Sequence, residues 1–442
     1  MMPVAKRLFS SLDRQSEVVV GYLEPDRYSF LEYLSKEERY IPRGAGLSYV
    51  AASFGPKSIS LGLSKFNRIL AFNQGSNPTI TVEAGISLHK LHLFLCPRGF
   101  RVPVEPGHPQ ISIGGCIAFN VFGKNQFREG LFESCVEEIE LFHPRKGLLT
   151  CSRAENKEIF EMTVGGMGLT GIIIKATLRL SRIPSPWLDV EKIPFRNLHH
   201  MVEVMKVKSR NVDALNTFND FTTFGSGLGK GFLVVSNFTD EHSAPALLTS
   251  FRSLERKPTS HFSYFNAFTA PTFGFAYRTW NTKFTSHERM PFYKFNYPVA
   301  STPFYFDWYG KRGFVERQIL VSEARVDAYI EKFEALVRKY RPQIVLGSCK
   351  LFSGKQRLLH FAGTGLVISI DVIPGEKNAA FHDALDSLNV RMSAIDNIAK
   401  DSRITKDLVA SEYPEYAKFR DFLAEFDPKR QLASTLSDKL SL

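Results

Sequence analysis

Three glycine-rich segments, each beside an apolar run, constrain this chain more than any other feature of its sequence. They are Pro42–Tyr49, Gly107–Gly115 and Gly165–Gly171. Glycine lets a backbone turn sharply and come close to a ligand, because it has no side chain. In the first segment, two glycines one residue apart can direct successive backbone N–H groups into one concavity that holds phosphate oxygens. One such segment alone indicates only a tight turn, but three of them predict a bound ligand.

The second and third segments contain features that suit a flat ligand. Small residues at Gly114, Gly115 and Ala118 fit a helix start that approaches such a ligand closely. The third segment leads into the β-branched run at Ile172 and Ile173. A Rossmann dinucleotide site fits less well, because no G-x-G-x-x-G sequence follows a first strand and no acidic residue lies suitably downstream.

The order and spacing of these segments resemble the flavin-binding domain of the vanillyl-alcohol oxidase superfamily, also called the PCMH-type FAD-binding domain, over residues 40–180. In that superfamily the first segment binds the FAD pyrophosphate, the second runs along the isoalloxazine and ribityl chain, and the third closes over the adenine side. The resemblance implies FAD as the cofactor. The positions that it assigns to cofactor binding are Arg43, Gly44, Ala45, Gly46, Leu47, Ser48, Tyr49, Gly107, Ser112, Ile113, Gly114, Gly115, Phe122, Gly123, Lys124, Asn125, Ile173 and Asn397.

The first segment also bears on how FAD is attached. Many members of the superfamily hold FAD covalently through a histidine in this segment, and Leu47 occupies that place here. None of the 11 histidines lies in the segment, and Phe122 occupies the second site where a histidine can occur. The resemblance therefore implies non-covalent FAD.

Motifs in the second half narrow the resemblance. Cys349–Phe352, Leu366–Asp371, Ala399–Arg403 and Phe426–Pro428 are similar to the decaprenylphosphoryl-β-D-ribose 2′-oxidase family. The likeness covers nearly the whole chain, more loosely over residues 186–317. That family oxidises the ribose 2′-hydroxyl of a polyprenyl-phosphoryl sugar to a ketone. A partner short-chain reductase then forms the arabinose epimer, a cell-wall precursor.

Oxidation of a secondary alcohol by flavin also requires removal of the hydroxyl proton. A lysine whose pKa is lowered by burial and a nearby cation can take that proton. By resemblance, Lys400 matches the family's essential lysine, and Lys350 matches a second lysine that lines the sugar-phosphate pocket. Gln318 and Ser369 match substrate-pocket positions. From the residues alone, Lys400 could be a surface lysine beside Asp401, and Gln318 an ordinary strand residue.

Three positions depart from the family pattern. Ser369 stands where mycobacterial members have the cysteine that nitroaromatic suicide inhibitors trap. That cysteine is not a proton-transfer group, so we expect catalysis to tolerate the change. Phe122 replaces a histidine, and Asn397 stands where a flavin-side tyrosine is expected. These two changes alter the surroundings of the flavin and the sugar.

The resemblance implies an α+β fold with two domains. A PCMH-type FAD-binding domain is expected over residues 1–185, a substrate domain on an antiparallel sheet over 186–395, and a C-terminal segment that returns to the FAD domain over 396–442. Two prolines in Ile183–Pro186 mark the first boundary. Hydrophobic spacing predicts strands at Pro78–Ala84 and Leu366–Val372, and helices at Ser87–Cys96, Val321–Lys339 and Glu415–Phe426.

The segment from Phe262 to Tyr309 is unusually aromatic, with Phe, Tyr or Trp at 18 of 48 residues against 13% in the whole chain. It could be the core of a large sheet, or a flap that meets an apolar ligand or a membrane surface. The prolines and glycine inside it weaken the core interpretation.

Charge and composition restrict the partners. A net charge of +11 attracts phosphates, although charge alone favours a diffuse positive surface. Nucleic acid is not an expected partner, because no zinc-finger or RNP-type motif is present.

No apolar run reaches the ~18 residues that span a bilayer, and no signal peptide is evident. Five cysteines without a CxxC spacing indicate a reducing compartment and no metal site. We expect a cytoplasmic protein, peripheral to the inner membrane if its substrate is lipid-linked.

The sequence leaves three possible functions. The first is an FAD-dependent oxidoreductase of a sugar hydroxyl, as in the polyprenyl-phosphoryl pentose family. The second is an oxidase of a soluble alditol or aldonolactone, against which the His-Trp-x-Lys ending of lactone oxidases is missing. The third is an inactive flavin-binding partner subunit, against which both Lys350 and Lys400 are retained.

Overall fold

The computed structural model describes residues 3–243, 263–266, 268–298 and 305–442. Among the described residues, its N-terminal part contains two larger sheets and a two-stranded antiparallel sheet of β7 and β11. A mixed sheet has the order β1-β2-β4-β3, and an antiparallel sheet has the order β5-β6-β10-β8-β9. The strands of this part are β1 (Ala5–Ser10), β2 (Glu17–Leu23), β3 (Tyr40–Arg43), β4 (Ile59–Gly62), β5 (Ile69–Asn73), β6 (Thr79–Glu83), β7 (Phe100–Arg101), β8 (Val136–His143), β9 (Gly147–Ser152), β10 (Ile172–Arg179) and β11 (Ser181–Arg182). Its helices are α1 (Ser29–Glu32), α2 (Leu88–Leu95), α3 (Ile113–Ala118), α4 (Gln126–Glu129) and α5 (Lys157–Thr163).

The second half is built on one antiparallel sheet of order β15-β12-β14-β13-β17-β18-β16-β19. Its strands are β12 (Trp187–Phe195), β13 (Ala214–Asp220), β14 (Lys230–Phe238), β15 (His287–Pro291), β16 (Val315–Ser322), β17 (Ile344–Phe352), β18 (Gly365–Val372) and β19 (Ile395–Asp396). The helices are α6 (Leu198–Lys208), α7 (Thr269–Lys283), α8 (Phe292–Asn296), α9 (Val326–Tyr340), α10 (Glu376–Met392), α11 (Lys406–Glu412), α12 (Tyr416–Phe426) and α13 (Thr435–Leu440).

Side-chain alternation gives this sheet two different faces. On β16 and β18, Ile319, Ile368 and Ile370 are buried in a core that helices α6, α9 and α10 complete. Because successive strand residues point to opposite faces, Gln318 and Ser369 lie on the other face, where they line a cavity. The alternation therefore presents a row of polar groups opposite the helix-covered core.

The mixture of helices and antiparallel sheets agrees with the expected α+β class. The division at residues 185 and 395 stays a prediction. The helix predicted to begin at Val321 begins at Val326, because Val321 and Ser322 still pair with β18. In the described part of the chain, no helix is long and apolar enough to cross a bilayer.

The aromatic segment divides between the two predicted roles. Tyr293 and Tyr297 are buried against the N-terminal core, whereas Phe268 and Trp280 are exposed. Phe262, Ala267 and residues 299–304 of this segment lie outside the described residues.

Candidate active site

A cavity of about 800 Å³ lies against the polar face of the eight-stranded sheet, within the usual size range of small-molecule sites. All three glycine-rich segments contribute to its lining, together with strands β13, β14, β16, β17 and β18. The cavity lining includes most of the positions predicted from the sequence, which are Gly44, Ala45, Gly46, Leu47, Ser48, Tyr49, Gly107, Ser112, Gly114, Gly115, Phe122, Gly123, Lys124, Ile173, Gln318, Lys350, Ser369, Asn397 and Lys400.

The first glycine-rich segment forms a cradle of backbone groups after β3. A Cβ added at Gly44 would lie 2.0 Å from Ser112 Oγ, so the two loops touch only because this residue is glycine. Gly46 adopts a left-handed φ of 71°. Within the described residues, no protein acceptor receives the N–H groups of Ala45, Gly46 and Leu47. Free backbone donors that line a cavity are suited to phosphate oxygens, so the residues present fit the pyrophosphate of FAD.

Three predicted cofactor positions lie behind the cavity wall rather than in its lining. The Arg43 guanidinium stacks 3.9 Å from the ring centroid of Phe9 and donates to Ser53. Ile113 is fully buried in the N-terminal core. The side chain of Asn125 donates to a backbone carbonyl 2.9 Å away. These residues support the loops, and their own side chains face away from the cavity.

Strands β16 and β18 supply a hydrogen-bonded row of polar side chains. Gln318 Nε2 donates to Ser369 Oγ at 3.0 Å and to Glu316 Oε1 at 3.2 Å. Asn397 Nδ2 donates to Gln318 Oε1 at 2.5 Å. The three predicted residues Gln318, Ser369 and Asn397 therefore meet at one point of the cavity. Together they offer both donors and acceptors to a polyhydroxylated ligand.

Lys400 lies at the same end of the cavity, on the loop that follows β19. Its Nζ atom is 3.2 Å from Glu316 Oε2. The same ammonium lies 3.3 Å from the ring centroid of Tyr49, a cation–π contact. The first glycine-rich segment and the second half of the chain thus meet at this lysine, and the surface-lysine interpretation does not describe its position.

Arg317 fixes the loop that carries Lys400 and Asn397. Its side chain lies on the opposite face of β16 from Glu316 and Gln318 and is fully buried. The guanidinium lies 2.7 Å from Asp386, 2.9 Å from Asp396 and 3.1 Å from Asp401. Because two of these carboxylates flank the loop at either end, the ion cluster sets where the loop enters and leaves the site.

Two further lysines line the cavity in low-dielectric surroundings. Burial lowers the pKa of Lys350, Glu316 opposes this shift, and Lys400 adds to it. Burial together with the positive charge of Lys350 lowers the pKa of Lys124 to about 7. Lys124 also donates to the Phe295 carbonyl. The cavity can thus present ammonium groups whose charge responds to an anionic ligand.

Phe122, which stands in place of a histidine, belongs to an aromatic cluster. Its ring centroid lies 4.7 Å from that of Phe352 and 6.0 Å from that of Phe361. The Lys350 ammonium lies 5.8 Å from the Phe122 ring. The substitution therefore supplies an apolar wall beside a cation.

Three titratable groups of the cavity, Glu316, Asp371 and His108, were not among the positions predicted from the sequence. Glu316 and Asp371 line the cavity, and the Tyr309 hydroxyl donates to Asp371. Both carboxylates lie two residues from a predicted position on the same strand, so the period-two alternation of a strand could have found them. His108 also lines the cavity. Its pKa is lowered to about 4, mainly by burial and to a smaller extent by the positive charge of Lys400.

Comparison with known proteins bears on the cofactor and the family. The family pattern described as an FAD binding domain matches residues 29–152. The chain is 25% identical to decaprenylphosphoryl-beta-D-ribose oxidase of Mycolicibacterium smegmatis over 427 residues, which cover 91% of this chain and 89% of that protein. It is 26% identical over 166 residues to D-arabinono-1,4-lactone oxidase of Candida glabrata, covering 36% of this chain and 29% of that protein. These matches confirm the predicted resemblance to the PCMH-type FAD-binding superfamily and to decaprenylphosphoryl-ribose oxidase, and they make the chain similar to FAD-dependent oxidoreductases, with the similarity to FAD-binding domains at residues 29–152.

Proposed function

We propose that this protein oxidises the 2′-hydroxyl of a polyprenyl-phosphoryl ribose to a ketone, with FAD held non-covalently. The observation that carries the proposal is the Lys400–Glu316 pair, 3.2 Å apart in the cavity that the FAD-binding segments line. The similarity to a decaprenylphosphoryl-beta-D-ribose oxidase along 91% of the chain supports the choice of substrate.

Bound FAD supplies the acceptor for the hydride that leaves the carbinol carbon. Lys400 Nζ takes the hydroxyl proton as it passes one of its own protons to Glu316 Oε2. The O–H bond breaks, an N–H bond forms, and the pair ends as an ammonium and a carboxylic acid. Such a positioned general base contributes ~10²–10⁴-fold in rate.

The other polar residues hold the sugar. Gln318, Ser369 and Asn397 form one hydrogen-bonded row that can exchange its internal bonds for bonds to sugar hydroxyls. Lys350 binds the phosphoryl group, because an anion restores the charged state that burial disfavours. The Phe122 ring and its aromatic neighbours exclude water from this end.

The proposed reaction also implies a partner enzyme and a location in the cell. The ketone product requires a reductase to complete the epimerisation, so a short-chain reductase is the expected partner. A lipid-linked substrate places the protein at the face of the inner membrane. Leu47, in the first glycine-rich segment, cannot form a covalent bond to flavin.

A second candidate is an oxidase of a soluble alditol or aldonolactone. Two carboxylates, Glu316 and Asp371, line the cavity beside Lys350 and Lys400. This balance of charge suits a neutral polyol better than a purely cationic pocket would. The partial similarity to D-arabinono-1,4-lactone oxidase agrees with this candidate.

Anaerobic titration of the purified yellow protein separates the two candidates. The protein is mixed with a polyprenyl-phosphoryl ribose, with its arabinose epimer, with arabinono-1,4-lactone or with an alditol, and the flavin absorbance is followed. We expect bleaching by the ribose compound and much slower bleaching by the others. Bleaching by the lactone or the alditol alone would replace the first candidate by the second. Replacement of the candidate base, Lys400→Ala, should prevent bleaching by the ribose compound. The matched control Lys406→Ala, at an exposed lysine on α11, should be bleached as the unaltered protein is.

A further inference from the structure

Helix α7 carries a line of aromatic side chains from the cavity into solvent. Phe273, Tyr277, Trp280 and Phe284 follow one another at helical spacings of four, three and four residues, which places them on one side of the helix. Phe273 and Tyr277 line the cavity. Trp280 and Phe284 contact each other, with ring centroids 5.4 Å apart, and are 60% and 69% exposed.

Aromatic rings also project from the other side of this helix. Phe268, just before α7, is 89% exposed, and Phe275 within it is 61% exposed. A protein groove or a single lipid chain would cover one side of a helix only. The interfacial region of a bilayer surrounds a projecting helix on several sides, and aromatic rings are enriched there.

The charge around α7 indicates the kind of bilayer. Residues 263–312 contain six Lys or Arg residues against two Asp or Glu residues, a net charge of +4 out of +11 for the whole chain. Lys283, at the exposed end of α7, belongs to this set and is exposed. Arg289 is also exposed, but its guanidinium is paired with Asp189 and Glu241. Basic residues next to inserted aromatic rings favour anionic lipid headgroups.

We propose that helix α7 docks this protein onto an anionic bilayer, with Trp280, Phe284, Phe268 and Phe275 in the interfacial region. Docking in this way turns the aromatic side of the cavity toward the lipid phase. The proposal deepens the proposed function and rests on it for its purpose, since a polyprenyl-phosphoryl substrate is held in a membrane. The binding itself requires no substrate.

Co-sedimentation with vesicles tests the docking surface. The FAD-loaded protein is mixed with vesicles of phosphatidylcholine and phosphatidylglycerol at three to one, and with vesicles of phosphatidylcholine alone. We expect tighter binding to the mixed vesicles, weakened by salt. Trp280→Ser combined with Phe284→Ser should lower the partition coefficient at least about tenfold, because two large apolar groups no longer enter the interface.

A matched control removes two exposed apolar residues away from α7, Tyr33→Ser and Val207→Ser. This variant should bind the mixed vesicles as the unaltered protein does. Equal loss in both variants, or no vesicle binding at all, would overturn the proposal. So would a dimer in solution that the Trp280 and Phe284 changes dissociate, since the occupant would then be a second copy.

Bleaching of the flavin by a water-soluble, short-chain phosphoryl ribose distinguishes this proposal from the proposed function. Trp280 and Phe284 do not line the cavity, so the double variant should be bleached at the unaltered rate. Bleaching without vesicle binding would refute only the docking surface. Vesicle binding without bleaching by any phosphoryl ribose would refute the proposed substrate and leave the docking surface standing.

Discussion

Replacement of Arg317 by Met tests how the fold positions the candidate base. The change leaves Asp396 and Asp401 buried, both within 3.1 Å of the lost guanidinium. Removing one partner of a buried ion pair costs ~3–5 kcal/mol, because the remaining charge loses its compensation. Asp396 keeps a hydrogen bond from Asn389 at 2.7 Å, which does not neutralise its charge. We therefore expect the free energy of unfolding to fall by about 3–5 kcal/mol.

Urea unfolding of the FAD-free protein, followed by circular dichroism, measures this loss. Asp386→Asn is the matched control, because Asp386 is partly exposed and Arg317 keeps two carboxylates in that variant. The control should lose much less stability than Arg317→Met. Flavin reduction by substrate should also slow in Arg317→Met, since Lys400 and Asn397 lie on the loop that the cluster holds.

The stability lost in Arg317→Met should depend on pH, because Asp401 can bind a proton. Burial raises the pKa of Asp401, and Arg317 opposes that rise. Without Arg317 the folded carboxyl binds a proton more readily than the unfolded one, so stability is recovered as the pH falls. The deficit of Arg317→Met should therefore shrink from about pH 8 to about pH 5. Stability equal to that of Asp386→Asn, or a deficit that does not change with pH, would show that Arg317 does not compensate the buried charges of Asp396 and Asp401.

Four further outcomes are expected. Lys400→Ala should retain FAD, but its rate of substrate-dependent bleaching should fall by at least ~10²-fold. Lys350→Ala should raise KM more than it lowers kcat, because a phosphate-binding cation acts on ground and transition states alike. Stopped-flow absorbance measures both variants. Acid precipitation should release all the yellow colour into the supernatant, and flavin left in the pellet would show a covalent link that Leu47 cannot make. Ser369→Cys should form a covalent adduct with nitroaromatic inhibitors of the mycobacterial enzymes, seen as a mass increase, because a thiol is far more nucleophilic than a hydroxyl. An equal adduct on the unaltered protein would show that the inhibitor pocket does not lie at Ser369.

Local patterns predicted the elements and motifs whose signal lies within a few residues. The strand at Thr79–Glu83 and the helix at Tyr416–Phe426 closely match their predicted positions, since hydrophobic period and proline placement are local properties. The helix after β16 was predicted too early. Its first residues satisfy a helical pattern, but Val321 pairs with Leu366 of β18, which lies more than forty residues later in the chain.

The site was predictable where a motif marks it. Gly44 and Gly46 stand out because a side chain there would collide or be strained. Asn216 and Phe218 of β13 also line the cavity, but they carry no local signal, because only the strand order brings β13 next to β17. Ile113 lies within a motif yet faces the core, since a motif gives the backbone path and the packing decides which side chains point inward.

The proposed oxidation at the C2′ carbon of a polyprenyl-phosphoryl ribose leaves a ketone that can be labelled. The most direct measurement is to trap the sugar after one anaerobic turnover with sodium borodeuteride and to locate the deuterium by mass spectrometry and NMR after hydrolysis. We expect ribose and arabinose that both carry deuterium at C2. Unlabelled ribose, or deuterium at any other carbon, would contradict the proposed oxidation.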